Sequence, residues 1–156
     1  MKKTALSLLL VPFVLAVLGP AAAAQACPGA TGTLTVTPGT VTAGSPVSVE
    51  VCGLANGFAI LAIAENSGST MIGGVGPIPS AELCLEAPFI PFPIGAAGMD
   101  GCADRSFNVP MNVPLPGNLT LHLQGVLFGF TLNLPPNPNP GISFSLVTTN
   151  TATLTL

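Results

Sequence analysis

Residues 33–52, TLTVTPGTVTAGSPVSVEVC, decide the fold class. In TLTVT, Leu34 and Val36 fall on one side of an extended chain and the threonines on the other. In PVSVEVC, Val47, Val49 and Val51 share a face, with Ser48, Glu50 and Cys52 opposite. The intervening PGTVTAGS carries the Pro, Gly and Ser of a turn. Two period-2 runs around a turn predict an antiparallel hairpin with one buried face.

The same pattern extends outward. FAILAIAE (58–65) is apolar in both phases, which predicts a central strand covered on both faces or one packed at an interface. Residues 68–80 are rich in Gly and Pro and read as loop, with at most a short strand at 70–72. AELCLEA (81–87) directs Leu83 and Leu85 inward and Glu82, Cys84 and Glu86 outward. PFIPFPIGAAGMDG (88–101) reads as a long connection, because proline removes ladder donors. In CADRSFNVP (102–110), Ala103, Phe107 and Val109 share a face, and Arg105 has their phase, which requires a strand end or a bulge. GNLTLHLQGVLFGFTLNL (117–134) is the longest strand signal, with Leu119, Leu121 and Leu123 inward, Thr120, His122 and Gln124 outward, and Gly125 at a bulge or bend. PPNPNPG (135–141) is a stiff loop, followed by strands in ISFSL (142–146) and TATLTL (151–156). The total is seven or eight strands without a helical period: an all-β, antiparallel sandwich.

The N-terminus has another character. Lys2 and Lys3, an apolar run from Ala5 to Leu18, Gly19-Pro20 and a small-residue tract have the layout of a secretory signal, residues 1–26. The run is shorter than the roughly 20 residues of a membrane span, and no later segment reaches that length uninterrupted, so no integral span is expected. Ala24-Gln25-Ala26 is an ordinary cleavage signal, cut after Ala24 or Ala26. Lipid anchoring through Cys27 is not expected, because Ala24 and Gln25 stand where a lipoprotein box carries Leu and a small residue. Lipidation would also leave an odd thiol. The expectation is a secreted protein, extracellular or periplasmic, with a leader of bacterial character and one domain over 27–156.

Beyond the leader a single arginine, Arg105, stands against six carboxylates, a formal charge of −5. Phosphate binding needs clustered Lys and Arg, so nucleic acid is excluded as a partner, and docking on anionic lipid is disfavoured for the same reason. A surface so poor in charge suits a wall, coat or adhesive setting.

Cys27, Cys52, Cys84 and Cys102, without a CxxC spacing, read as two disulfides in an oxidising compartment and not as a zinc site. Of three connectivities, sequential pairing is preferred, Cys27 with Cys52 across the first hairpin and Cys84 with Cys102 across one long loop. Their phases place Cys52, Cys84 and Cys102 on outer faces or strand ends.

Candidates for chemistry are few. His122 is the single histidine, on an outward phase, and a catalytic role would need partners that the sequence does not place beside it. Glu82 and Glu86 share a face about 13 Å apart, wide of the separations used in glycoside hydrolysis. Asp100 and Asp104, in GMDGCADR, are candidate calcium ligands, although two carboxylates fall short of roughly six to eight oxygens and Asp-Gly is more simply a turn. GGVG (73–76) lacks the lysine of a phosphate loop, and Asn118-Leu119-Thr120 matches a glycosylation sequon embedded in a strand. No cofactor or metal is expected. Trp and Tyr are absent, which disfavours sugar stacking, and phenylalanine is concentrated in PFIPFP and VLFGF, an apolar patch if exposed.

TLTVTPGTVTAGSPVSVEVCGLANG resembles the first hairpin of bacterial extracellular immunoglobulin-like domains, and apo-chromoproteins of the neocarzinostatin type begin similarly. The whole of 27–156, with CPG at its start, DGCADRSFNVP in its middle and TTNTATLTL at its end, is similar to short secreted bacterial domains of undefined function. The resemblance implies an immunoglobulin-like sandwich stapled by disulfides, and it assigns no site residue. Three functions follow in order: a non-catalytic structural or interaction module of the envelope or extracellular matrix, binding other envelope proteins or itself; a carrier of a small apolar ligand between the sheets or under the PFIPFP loop; and a hydrolytic enzyme.

Overall fold

The computed structural model describes residues 24–111, 119–136 and 140–156, so the leader up to residue 23, Asn118 of the sequon and part of the PPNPNPG loop lie outside the described residues. Ten strands and no helix occur among the described residues: β1 (Ala24–Gln25), β2 (Thr33–Thr37), β3 (Pro46–Cys52), β4 (Phe58–Ala64), β5 (Ser67–Gly73), β6 (Ser80–Leu85), β7 (Ile90–Ala96), β8 (Cys102–Asn108), β9 (Thr120–Asn133) and β10 (Gly141–Thr155). They form an antiparallel five-stranded sheet in the order β1-β10-β9-β4-β7, a three-stranded sheet β2-β3-β8, and a hairpin β5-β6.

The three sheets make three layers. Leu34, Val36, Val47, Val49 and Val51 face Leu61, Leu123, Leu127 and Leu154 across the main core. On the opposite face of the five-stranded sheet, Leu83 and Leu85 of β6 pack on Ala62, Ala64 and Val126. This second layer accounts for the doubly apolar FAILAIAE: odd positions fill one core and even positions the other. The alanines on the even phase let the small hairpin approach closely.

Several sequence expectations are corrected. Residues 67–73 form a strand rather than a loop, and its partner β6 holds it over the second core. Residues 90–96 form β7 despite Pro91 and Pro93, because β7 is an edge strand. Prolines spaced by two put both missing donors on one side, away from β4. The segments 142–146 and 151–156 are one continuous strand, β10. Gln124, expected outward, is fully buried, since the β5-β6 hairpin covers its face. Arg105 sits mid-strand opposite Val49 with no bulge in the β3–β8 register. Its phase is tolerated because β8 is the sheet's edge.

The Gly125 expectation is met from the partner strand. Thr148 pairs with Val126 and Thr151 with Gln124, leaving Thr149 and Asn150 opposite Gly125 alone, a β-bulge in β10. A Cβ on Gly125 would lie 2.5 Å from Val51 Cγ1 and 2.9 Å from Thr149 Cγ2.

Both seams of the sandwich are closed by side chains. At the β2–β10 seam the bulged Asn150 accepts from the Leu34 amide at 2.8 Å and donates to the Leu34 carbonyl at 3.2 Å, standing in for a strand residue. At the β7–β8 seam Arg105 donates to the Pro93 carbonyl at 2.7 Å and lies 5.1 Å from the centroid of the Phe92 ring.

The disulfides are Cys27–Cys84 and Cys52–Cys102, not the sequential pairs. Cys52 and Cys102 are direct partners at the end of the β3–β8 ladder, because β8 crosses to the first hairpin's sheet instead of remaining beside β6. Cys27 follows β1, which lies against β10, and from there it reaches Cys84 on the third layer. The placement of Cys52 and Cys102 at strand ends agrees with their phase. Two disulfides indicate an oxidising environment. Among the described residues no helix is long and apolar enough to cross a membrane.

Candidate functional site

Two features combine burial, polarity and exposure in ways a plain sandwich does not require. The first is a buried polar knot where the third layer meets the central sheet. Gln124 Oε1 accepts from the Cys84 amide at 2.7 Å, and its Nε2 donates to the Thr149 carbonyl at 2.8 Å. Thr149 Oγ1 accepts from the Gly125 amide at 2.8 Å and donates to the Asn150 carbonyl at 2.7 Å. The knot is therefore satisfied, and with Cys27–Cys84 beside it the hairpin is held covalently and by hydrogen bonds.

The second feature is an arm. β4 ends its pairing at Phe58 opposite Phe128, so the outer part of β9 and residues 141–146 of β10 pair only with each other. The register places Phe128 opposite Leu146, Phe130 opposite Phe144 and Leu132 opposite Ile142 on one face. The other face pairs Gly129 with Ser145 and Thr131 with Ser143, and Asn133 Nδ2 donates to Ser143 Oγ at 3.2 Å. The apolar face meets solvent: Phe130 is 74% exposed, Leu132 55% and Ile142 57%. It begins at the Phe58–Phe128 ring contact, 5.5 Å between centroids, and runs on from Leu146, which packs against the second core. Of the two phenylalanine-rich segments, VLFGF is thus exposed in part, whereas Phe89 and Phe92 of PFIPFP pack on the two cores. The contribution of β10, Ile142 and Phe144, was not singled out from the sequence, although their period-2 phase without any charge was its signal.

Apart from Glu50 and Asp104, the titratable residues among those described are dispersed. His122 is half-buried on β9 between Ala64 and Thr153. Asp100 accepts from the Cys102 amide at 3.1 Å and so closes the turn before β8, while Asp104 stands mid-strand opposite Glu50. The two candidate calcium ligands are on different features. Glu50 lies near Cys52 and Cys102, but both sulfurs are spent in a disulfide. Glu82 accepts from Ser69 Oγ at 2.6 Å across the β5-β6 hairpin, and Glu86 follows it exposed.

Surface grooves accompany these features. One of about 290 Å³ is lined by Ile63, Ala64, Glu86, Pro88, Ile90 and Leu121, beside the start of β7. Another of about 340 Å³ crosses the polar outer face of β2-β3-β8 at Thr35, Ser48, Glu50, Asp104 and Ser106. No family model, curated protein or solved structure matches the chain.

Proposed function

We propose that the protein is a secreted, non-catalytic structural or interaction module of a cell envelope or extracellular matrix, whose two larger sheets act as an immunoglobulin-like sandwich carrying the arm. One observation carries this reading: an uncharged strand pair, anchored to a doubly stapled body, holds an apolar face in solvent. Glu50 and Asp104 oppose each other on an outer sheet face, but the single histidine lies on another sheet, which favours the non-catalytic reading. A second reading, a carrier of a small apolar molecule, draws on the groove beside Pro88 and Ile90, at the PFIPFP segment.

Native mass spectrometry of the protein from its source tests the two together. The module reading expects complexes with envelope components or with further copies and no retained small molecule. A stoichiometric apolar ligand that survives desalting would select the carrier and overturn the module.

A further inference from the structure

We infer that the occupant of the arm's apolar face is a second copy of this chain, the two arms packing face to face about a two-fold axis. The inference rests on the reading of the protein as an interaction module and names its partner. Area is the first argument. Phe128, Phe130, Leu132, Ile142 and Phe144 are 39 to 74% exposed, which at about 200 Å² for a full large side chain leaves about 540 Å² of apolar surface on one copy. That lies at the upper end for a monomer's largest patch, and doubled to about 1,100 Å² it clears the roughly 1,000 Å² expected of a specific interface.

Charge is the second argument. From Ser106 to Leu156 the sequence holds no Asp, Glu, Lys or Arg, so every acid of the −5 body lies outside the arm and two arms meet without repulsion. Symmetry is the third. The ladder pairs Phe130 with Phe144 and Leu132 with Ile142, with Phe128 opposite Leu146 at its inner end, so a two-fold axis parallel to the strands sets Phe against Phe and Leu against Ile at the outer positions.

Lipid fits less well than protein. Among the described strands, the outer side of β9 beyond Phe128 has no neighbour, and neither has the outer side of β10 over 141–146. Unpaired amides and carbonyls on such edges are costly in a hydrocarbon phase, whereas a facing arm leaves both edges open to water.

The test is sedimentation equilibrium of the disulfide-bonded protein, exported to an oxidising compartment, from about 1 to 200 μM, a range that brackets weak standard interfaces. The wild type is expected to dimerise, undiminished in 1 M salt. Phe130→Glu and Phe144→Glu should each weaken the dimer at least about 100-fold, because each buries a charge at the interface, while leaving the thermal midpoint near that of the wild type. Met99→Glu, at an exposed apolar position outside the arm, should leave the dimer intact. A wild type monomeric at the top concentration overturns the inference, as does a dimer indifferent to Phe130→Glu. A monomer that co-sediments with phosphatidylcholine vesicles also overturns it and makes the arm a lipid-binding element, with the module reading intact. A monomer that binds no vesicles and retains a small apolar ligand overturns both.

Discussion

Replacing Gln124 with leucine tests whether the polar knot holds the third layer. Leucine nearly preserves the volume, so the cavity term is small, and the effect isolates the two lost hydrogen bonds. The Cys84 amide and the Thr149 carbonyl, now bonded at 2.7 and 2.8 Å to a side chain with no solvent exposure, would be left buried without that partner. Each such group costs about 1–3 kcal/mol, so Gln124→Leu should destabilise by about 2–6 kcal/mol, a large share of a typical 5–15 kcal/mol. For a domain of this size that lowers the melting temperature by about 10 °C. Calorimetry or far-ultraviolet circular dichroism reads the change, the chain having neither Trp nor Tyr to report by fluorescence. Gln124→Glu adds a sign test. Protonated, the introduced carboxyl can accept from Cys84 and donate to Thr149; ionised, it loses the donor and carries a buried charge. Burial raises its folded pKa above the unfolded value near 4.3, so the variant should approach wild-type stability below about pH 4 and lose it as pH rises through the folded pKa. A Gln124→Leu protein within about 0.5 kcal/mol of the wild type would refute the knot's structural role.

Non-reducing peptide mapping should recover Cys27 linked to Cys84 and Cys52 linked to Cys102, and removing either pair should cost about 4 kcal/mol for loops of 57 and 50 residues; sequentially linked peptides would contradict the strand order. Gly125→Ala should destabilise by about 2–3 kcal/mol, because its methyl would overlap Val51 and Thr149 opposite the bulge, and an unchanged melting temperature would contradict that close approach. Arg105→Ala should cost about 1 kcal/mol with little salt dependence, its partners being a carbonyl and a ring instead of an ion; a loss that vanishes in 1 M salt would point to an ionic partner.

What could be read from the sequence was what is local. Alternation in 33–37 and 46–52 identified the buried valines and leucines correctly, because a strand's faces are set by its own pleat. The doubly apolar 58–64 announced two covered faces, yet what supplies the second cover depends on where residues 67–85 dock, and nothing local encodes that. Gln124 was misread for this reason: a polar residue on a half-exposed sheet belongs outward, and only the third layer makes it a buried bridge. The disulfide partners failed likewise, since β8 pairs with β3 only after four intervening strands that belong to the other sheets. Pro91 and Pro93 were weighed against a central strand, when the edge was the position to test.

The arm poses the same question from the other side, because there the local pattern continues after the body has ended. A strand pair exposed on both faces has no physical reason to keep its phases apart, and polar substitutions on either face would cost little. Yet Phe128, Phe130 and Leu132 alternate with Gly129, Thr131 and Asn133, and Ile142 and Phe144 alternate with Ser143 and Ser145, in register across the ladder. Protection against aggregation by edge charges is also missing where a monomer would need it most. An apolar phase maintained over this length, uncharged and continuous with the second core at Leu146, has the pattern of a face meant to be covered. A second copy, bringing the same face without charge of its own, is the cover whose chemistry these residues already describe.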